Sequence, residues 1–408
     1  MKKIIFFAAM IWAVMGNAQS WTPQTSGVTT QLRDVFFVND SVGWVSTIGA
    51  VLKTTNGGNN WSSNTTGINV ATDLKSLFFV SENIGWAVGT GGVILNTTDG
   101  GQSWASQSSG TTKELSSIYF VNDTVGWIVV TAGTNPQTDP ASILKTRNGG
   151  ASWTVAYTYP TTYNSPLNTL FFINENLGWA VGGGSVTKLT NSGNTVTRFD
   201  FASNTNFRDV YFTDAANGWV VGDNGKIYVS SDSGTTWTSQ TSGVTSNLLG
   251  VHFTSLTDGW AVGGGVLGVG PTLRRTTNGG LNWTAFSFGF TSGIGMVDVL
   301  FLPSGKGWIV GGQGFIYTYN SNPSAVELIA SNNISIYPNP STNLLNVEMQ
   351  EIGNYQIMVF DALGRNIFSM NTNERQVQIG TASWTSGHYH LNILNEKGQM
   401  TSKTIVKK

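Results

Sequence analysis

Cysteine is absent from all 408 residues of this sequence. The chain can therefore form no disulfide bonds, and it cannot be anchored as a lipoprotein through an N-terminal cysteine. Charge is also scarce, because Lys, Arg, Asp and Glu together make up 11% of the residues and the formal net charge is −1. This balance predicts no surface for nucleic acid.

Histidine is nearly absent as well, and His252 is the only one before residue 321. It lies in a strand-like stretch, Val251-His252-Phe253, which favours a half-buried structural role. Without cysteine, the chain offers little to a zinc site or to a Ser-His-Asp triad. We therefore expect no metal and no other cofactor.

Long hydrophobic runs are missing too. The most apolar stretch, Ile4–Met15, is too short to span a membrane. It follows Lys2 and Lys3 and precedes small residues, which is typical of a secretory signal peptide. We expect residues 1–18 to form this signal, with cleavage between Ala18 and Gln19, and we expect no transmembrane segment.

Glycine and tryptophan, by contrast, are abundant, with 50 Gly and 15 Trp, and they mark an internal repeat. A Gly-Trp pair recurs seven times, at Trp44, Trp86, Trp127, Trp179, Trp219, Trp260 and Trp308. The pairs lie 40 to 52 residues apart. A period of this length, built from short alternating segments, predicts the blades of a β-propeller rather than a helical solenoid.

A complete repeat contains the signals of four antiparallel strands. In Leu32–Trp61 an apolar run, Val35–Val38, is followed by two further strand-like segments, and Asn56-Gly57-Gly58 then predicts a tight turn before the fourth strand. Six copies carry an Asp or Asn in this turn: Asn56, Asp99, Asn148, Asn191, Asp232 and Asn278. The pattern resembles the Asp-box, or BNR, repeat of sialidases and related propellers. That resemblance implies that these side chains bind backbone N–H groups of the turn and have a structural role.

The two ends of the repeat array complement each other. The last unit, Gly307–Tyr319, lacks the Asp-box and the fourth strand, whereas Gln19–Gly27 matches the fourth-strand segment Thr236–Gly243. We expect the N-terminal strand to complete the seventh blade and close the ring. The repeat also resembles the family of photosystem II assembly and stability factors over about residues 20–320, which implies the fold and not the function.

The repeat stops after Asn320. Residues 321–333 are predicted to be a linker, and the alternating segments of 334–408 predict a small immunoglobulin-like β-sandwich. The motifs Tyr337–Ser341, Phe360–Arg365 and Ser386–Leu391 resemble the type A sorting domain of the type IX secretion system. The resemblance implies docking on the outer-membrane export machinery of a Gram-negative, Bacteroidetes-type cell, followed by release or attachment to surface lipopolysaccharide. An ordinary immunoglobulin-like adhesion module is the alternative.

Glycoside hydrolysis needs two carboxylates, so the acids were sorted by their place in the repeat. Asp40, Glu82, Asp123 and Glu175 lie in equivalent turns and are interpreted as part of the repeated framework. Nine acids fall outside the pattern: Asp34, Asp73, Glu114, Asp139, Asp200, Asp209, Asp223, Asp258 and Asp298. No arginine stands in a sialidase-like context, and we assign no catalytic residue.

Ligand-binding candidates come from the face opposite the Asp-boxes, where propellers usually bind their ligands. The connections Thr131–Ser142 and Gly263–Thr272 are longer than their counterparts, and Tyr157, Tyr159 and Tyr163 lie in a neighbouring connection. Six charged residues occupy two adjacent aligned positions at the start of the innermost strands and are predicted to ring the channel mouth: Arg33, Asp34, Lys75, Arg208, Asp209 and Asp298.

The sequence therefore predicts an all-β, exported protein with a seven-bladed β-propeller in residues 19–320 and a sorting domain in 334–408. Its predicted activity is non-catalytic binding of a glycan or protein ligand, as a monomer, at the cell surface or in the medium. A secreted hydrolase acting on polysaccharides is one alternative. A structural surface or adhesion component is the other.

Overall fold

A computed structural model describes residues 21–133, 135, 138–160, 166–201, 205–264, 270–286, 295–320, 334–349, 353–360, 366–384, 386–395 and 400–408. The predicted signal peptide with Ala18 and Gln19, the predicted linker and Tyr163 lie outside these residues. The described residues form two compact units, 21–320 and 334–408. Nowhere in them is there a helix with the length and apolar character needed to cross a membrane.

The first unit consists of short strands and four 3₁₀ turns. The strands are β1 (Trp21–Thr25), β2 (Asp34–Phe37), β3 (Gly43–Thr47), β4 (Ala50–Thr54), β5 (Ser62–Asn64), β6 (Leu74–Phe79), β7 (Gly85–Gly89), β8 (Ile94–Thr97), β9 (Ala105–Gln107), β10 (Leu115–Phe120), β11 (Gly126–Val130), β12 (Ser142–Thr146), β13 (Thr154–Thr158), β14 (Leu167–Asn174), β15 (Leu177–Gly182), β16 (Ser185–Thr190), β17 (Thr195–Asp200), β18 (Phe207–Phe212), β19 (Gly218–Gly222), β20 (Lys226–Ser230), β21 (Thr238–Thr241), β22 (Leu248–Phe253), β23 (Gly259–Gly264), β24 (Pro271–Thr276), β25 (Thr284–Ala285), β26 (Met296–Phe301), β27 (Lys306–Gly311) and β28 (Phe315–Asn320). The 3₁₀ turns are Thr90–Gly92, Asn191–Gly193, Asp223–Gly225 and Gly312–Gly314.

Within the described residues these strands make seven four-stranded antiparallel sheets. Six sheets use four consecutive strands, β2–β5, β6–β9, β10–β13, β14–β17, β18–β21 and β22–β25, and the seventh has the order β26-β27-β28-β1. The first strand of each sheet packs on the first strand of the next, and β26 packs on β2. The sheets therefore follow one another around a closed ring with their first strands innermost.

The Gly-Trp pairs hold neighbouring sheets together. Trp44 is fully buried, stacks on Phe79 of the next sheet with ring centroids 3.6 Å apart, and donates its indole N–H to the carbonyl of Gly100 at 2.9 Å. The glycine is required because the Phe37 ring of the same sheet leaves no room for a Cβ at Gly43. The same Trp-on-Phe stacking recurs around the ring at Trp86, Trp127, Trp179, Trp219, Trp260 and Trp308.

The Asp-box turns share one hydrogen-bond pattern in five of the six copies. In each, the Asp or Asn oxygen accepts the backbone N–H four residues later, at 2.8 to 3.0 Å, and the hydroxyl two residues earlier. These five residues are Asn56, Asp99, Asn148, Asp232 and Asn278. The side chains replace backbone partners that a tight turn cannot supply.

The sixth copy is different, and our expectation for Asn191 is wrong. Leu189 stands where the other copies have a hydroxyl residue, and the turn closes through the backbone, with Asn194 N–H donating to the Asn191 carbonyl. Among the described residues no donor reaches the Asn191 side-chain oxygen. Lys145 Nζ donates a hydrogen bond to the Ser192 carbonyl of this turn at 2.7 Å. The indole N–H of Trp127 has no hydrogen-bond partner among the described residues.

Asp99 offers a direct test of the Asp-box. Hydrogen bonds, first from the Ser103 hydroxyl and then from its backbone N–H, lower the pKa of Asp99 to about 2. We expect Asp99→Ala to reduce the free energy of unfolding by about 1 to 2 kcal/mol at pH 7 because these bonds are lost. We expect Asp99→Asn to cost less than ~1 kcal/mol, since three of the other boxes use an amide.

The pH dependence has a definite sign. The folded-state pKa of Asp99 lies below the unfolded value near 3.8, so its carboxylate stabilises the fold above about pH 4 and loses this contribution as the pH falls towards 2. Urea unfolding of the wild type and of Asp99→Asn at pH 7 and pH 3 measures the difference. A gap that widens at pH 3 would contradict the assignment.

The second unit contains two sheets. Its strands are β29 (Ile334–Tyr337), β30 (Leu344–Met349), β31 (Tyr355–Phe360), β32 (Asn366–Thr372), β33 (Gln376–Gly380), β34 (Gly387–Asn395) and β35 (Met400–Lys407). One sheet has the order β29-β30-β33 and the other β32-β31-β34-β35. Leu345, Val347, Ile357, Leu391 and Ile405 are fully buried or nearly so in one core between the sheets.

Candidate functional site

The innermost strands share one sequence pattern that places side chains on the ring axis. A buried apolar residue, such as Leu32, Leu74 or Leu115, stands at or just before the start of each strand. Two variable residues come next, and a second buried apolar residue follows them. In six of the seven strands the pairing with the second strand skips one residue at this point, as between Leu74 and Ser76. This β-bulge re-aims the residues at the beginning of the strand.

An axial cavity of about 370 Å³ lies between the innermost strands. Its polar layer consists of the second variable residue from six of the strands: Asp34, Ser76, Ser117, Thr169, Asp209 and Asp298. The seventh strand has Gly250 at this position. The structure thus brings three of the predicted site residues, the three aspartates, into one cavity.

The polar layer also links neighbouring sheets. Leu77 N–H donates to Asp34 at 2.8 Å, Val251 N–H donates to Asp209 at 2.9 Å, and Val35 N–H donates to Asp298 at 3.1 Å. Ser76 and Ser117 accept backbone N–H groups of their neighbouring sheets in the same way. These carboxyl and hydroxyl groups therefore have a structural task as well as a place on the cavity wall.

The three carboxyl groups share a common electrostatic environment. Burial raises the pKa of Asp209 to about 8, with the nearby Asp298 adding to the effect. Burial also raises the pKa of Asp34, followed by the charge of Asp298, with which Asp34 shares a hydrogen bond. Burial raises the pKa of Asp298 as well. Asp209 therefore holds a proton in this cavity at neutral pH.

An aromatic layer lies two residues further along the same strands. Phe36, Phe78, Tyr119, Phe171 and Tyr211 are in consecutive contact, with ring centroids 4.7 to 5.4 Å apart, and Tyr211 contacts His252 at 4.3 Å. All six line the cavity together with Leu300. Burial lowers the pKa of His252 to about 3 and raises that of Tyr211 to about 12, so both rings are neutral at physiological pH.

The predicted basic residues form ion pairs, and none of them lines the cavity. Arg33 binds Asp73 at 2.7 Å, and Lys75 binds both Asp73 at 2.9 Å and Glu114 at 3.3 Å. Arg208 binds Asp223 at 2.8 Å in the connection that follows β19. These cations and anions are equal in number, so the group adds no net charge.

The two described tyrosines of the predicted cluster, Tyr157 and Tyr159, are not fully exposed. Tyr159 is only 2% exposed and packs with Trp127, Ile143 and Leu167, so its place among the ligand-binding candidates is corrected. Tyr157 is half-buried and meets the Tyr159 ring edge-on, with centroids 5.1 Å apart. The long connection after β11 is held by the Lys113–Asp139 ion pair at 2.6 Å.

Sequence reasoning missed part of the cavity wall. Ser76, Ser117 and Thr169 stand in the same aligned column as the aspartates, but uncharged residues carry no functional signal by themselves. The sequence favours a structural role for His252, whereas in the structure His252 lines the cavity together with the aromatic residues at the same position of the other innermost strands. Alignment of the seven repeats by the buried apolar residues would have exposed both columns. The described residues contain no group of three or more His, Asp or Glu side chains able to hold a metal ion.

A closed ring of four-stranded antiparallel sheets around an axial cavity defines a β-propeller. The family model of the photosynthesis system II assembly factor YCF48 matches residues 13–108, 64–157 and 157–269, more than half of the sequence. The chain therefore belongs to this family of propellers. A second model, the secretion system C-terminal sorting domain, matches residues 335–407 and indicates a secreted or cell-surface protein of the type IX pathway.

Solved structures show the same fold. YCF48 bound to D1 peptide is 20% identical, with a TM-score of 0.61 over 74% of this chain and 97% of that chain. YCF48 from Cyanidioschyzon merolae is 19% identical, with a TM-score of 0.61 over 74% and 99%. The WD40 β-propeller domain of Doa1 is 14% identical, with a TM-score of 0.57 over 74% and 97%. A comparison with curated proteins finds no significant match.

Proposed function

We propose that this protein is an exported β-propeller that binds a segment of a partner protein at its axial cavity, without catalysis. The observation that carries the proposal is the cavity itself, whose wall combines carboxyl, hydroxyl and aromatic groups. Its volume of about 370 Å³ suits one inserted side chain and is at the lower end for ligand sites. A YCF48 propeller solved with a D1 peptide supports a peptide as the ligand class.

The proposal includes the finer organisation of the chain. The seven sheets act as seven blades of a monomeric propeller formed by residues 19–320, with Arg33, Lys75 and Arg208 shaping the entrance. Residues 1–18 are a signal peptide cleaved between Ala18 and Gln19, and 321–333 are a linker. Residues 334–408 are an immunoglobulin-like sandwich that docks on the type IX machinery of a Bacteroidetes-type cell.

Glycoside hydrolysis is the second candidate, because three acids outside the repeat pattern converge in the cavity. Hydrolysis requires an acid and a base or nucleophile about 5 to 10 Å apart, with access for the glycosidic bond. Asp34 and Asp298 instead share a hydrogen bond, and all three carboxyls accept backbone N–H groups. We therefore expect no reducing-sugar release from plant, algal or host polysaccharides, and release that Asp209→Asn abolishes would establish the hydrolase. A purely structural surface component is the third candidate and would bind neither ligand class.

The binding test compares two matched variants on peptide and glycan arrays. Thr169→Trp places a large ring in the cavity, and Thr195→Trp places the same ring at an exposed position of the same four-stranded sheet. We expect the purified full-length protein to bind a subset of peptides, Thr169→Trp to weaken that binding at least tenfold, and Thr195→Trp to leave it unchanged. The smaller Thr169→Phe repeats the test if Thr169→Trp does not fold. Binding only to glycans, or binding that ignores Thr169→Trp, would contradict the proposal.

A further inference from the structure

The cavity wall carries acidic groups and no basic ones. Its lining includes the carboxyls of Asp34, Asp209 and Asp298, whereas no Lys or Arg of the described residues belongs to it. Arg33 and Arg208, which precede Asp34 and Asp209 in the sequence, are paired with Asp73 and Asp223. A ligand group entering the cavity therefore meets carboxyl oxygens as its strongest partners.

The imidazole of His252 favours a ligand that donates hydrogen bonds. His252 is 8% exposed and lines the cavity, where its ring contacts those of Tyr211 and Phe301. Because the ring is neutral, one nitrogen is an acceptor, which a ligand N–H could satisfy.

The aromatic layer favours a cation as well. Phe78, Tyr119 and Phe171 line the cavity in consecutive contact, and aromatic faces attract ammonium and guanidinium groups. Methylene groups of a long basic side chain would lie against the same rings. Carboxyls, an acceptor nitrogen and aromatic faces together match a basic side chain better than a sugar or an anion.

We infer that the axial cavity is the receptor for one basic side chain, ammonium or guanidinium, of the bound protein segment. The inference rests on the proposed function, because that segment delivers the side chain. The cation forms hydrogen bonds to the carboxyls of Asp34, Asp209 and Asp298 and contacts the aromatic layer. It takes the place of a proton, which leaves one carboxyl for the solvent as the cation enters.

The exchange of a cation for a proton makes binding depend on pH. The raised pKa of Asp209, about 8 and caused mainly by burial, means that the empty cavity holds a proton at pH 6 to 7. His252 and Tyr211 stay neutral in this range, and Tyr119 does so because burial raises its pKa. Asp209 is therefore the cavity group whose charge changes between pH 6 and 8, and affinity for a cation rises with pH.

The test titrates the full-length protein with n-butylammonium and with its neutral counterpart n-butanol by calorimetry. We expect n-butylammonium to bind roughly tenfold more tightly at pH 7 than at pH 6, with a smaller further gain between pH 7 and 8 as the pH approaches the pKa of Asp209. We expect about one proton to be released per cation, measured in two buffers of different ionisation enthalpy. Asp209→Asn should weaken binding at least tenfold and flatten the pH dependence, whereas Asp123→Asn, in an exposed turn of the third sheet, should change neither.

A peptide pair identifies the source of the cation. Acetyl-Gly-Lys-Gly-amide should bind and its norleucine counterpart should not, whereas binding of free n-butylammonium alone would overturn the side-chain assignment. Equal binding of n-butanol, or no proton release, would overturn the cation site. If array peptides depend on Thr169 but n-butylammonium does not bind, this inference fails and the proposed function stands. If n-butylammonium binds but no array peptide does, the proposed function fails.

Discussion

Replacement of Trp44 by Ala is expected to lower the free energy of unfolding by about 3 to 5 kcal/mol, the usual cost of truncating a fully buried Trp. Trp44 is 0% exposed and stacks on Phe79 of the next sheet. Its loss opens a cavity between two sheets and leaves the Gly100 carbonyl without the indole donor. The loss is therefore felt at a junction of the ring rather than within one sheet. The midpoint of urea unfolding measures it.

Trp61→Ala is the matched control, because Trp61 is a half-buried tryptophan of the same repeat. It meets Phe37 edge-on, with ring centroids 5.9 Å apart, at the border of the cluster that contains the Trp308–Phe37 stack, and it forms no stack of its own there. We expect it to cost less than half as much as Trp44→Ala. Equal losses would show that burial between the sheets is not what stabilises the ring.

Removal of β1 is expected to have an effect at least as large. Trp21 is 4% exposed and contacts Trp260, Phe301 and Tyr319, and β1 pairs with β28 from Trp21–Tyr319 to Thr25–Phe315. A chain that begins at Ser26 loses this buried Trp, at about 3 to 5 kcal/mol, and exposes the edge of β28. We expect a lower urea midpoint and association that grows with protein concentration, because an open edge pairs with other chains.

The comparison chain begins at Gln19 and keeps β1. Light scattering and urea unfolding of the two chains, at matched concentrations, separate loss of the strand from loss of the residues before it. A chain beginning at Ser26 that remains monomeric and as stable as the Gln19 chain would contradict a ring closed by its own N-terminal strand.

The repeat made most of the fold predictable. Because the Gly-Trp pair and the Asp-box turn recur, the all-β propeller fold could be predicted from the sequence, and the comparisons confirm it. The sorting domain was predictable from its motifs in the same way. Each of these features depends on a few residues that are adjacent in the sequence, so a sequence motif is enough to identify it.

The candidate site was only partly predictable. The aligned column of Asp34, Asp209 and Asp298 was visible, but its position on a cavity wall follows from ring closure and from the β-bulges, which depend on residues far apart in sequence. Tyr159 was predicted to be a surface residue, but it packs in a hydrophobic core. A tyrosine in a connection between strands can be buried as well as exposed, and the sequence does not distinguish the two. Asn191 matches the Asp-box by residue type, but the position two residues earlier does not match. Leu189 stands there, and it lacks the hydroxyl that the other five turns use.

The most direct test of the account is a crystal structure of the full-length protein grown with n-butylammonium at pH 8. The account predicts density for the cation in the axial cavity, with its nitrogen about 2.7 to 3.2 Å from carboxyl oxygens of at least two of Asp34, Asp209 and Asp298. A cavity filled by water alone, with n-butylammonium bound elsewhere or not at all, would contradict it.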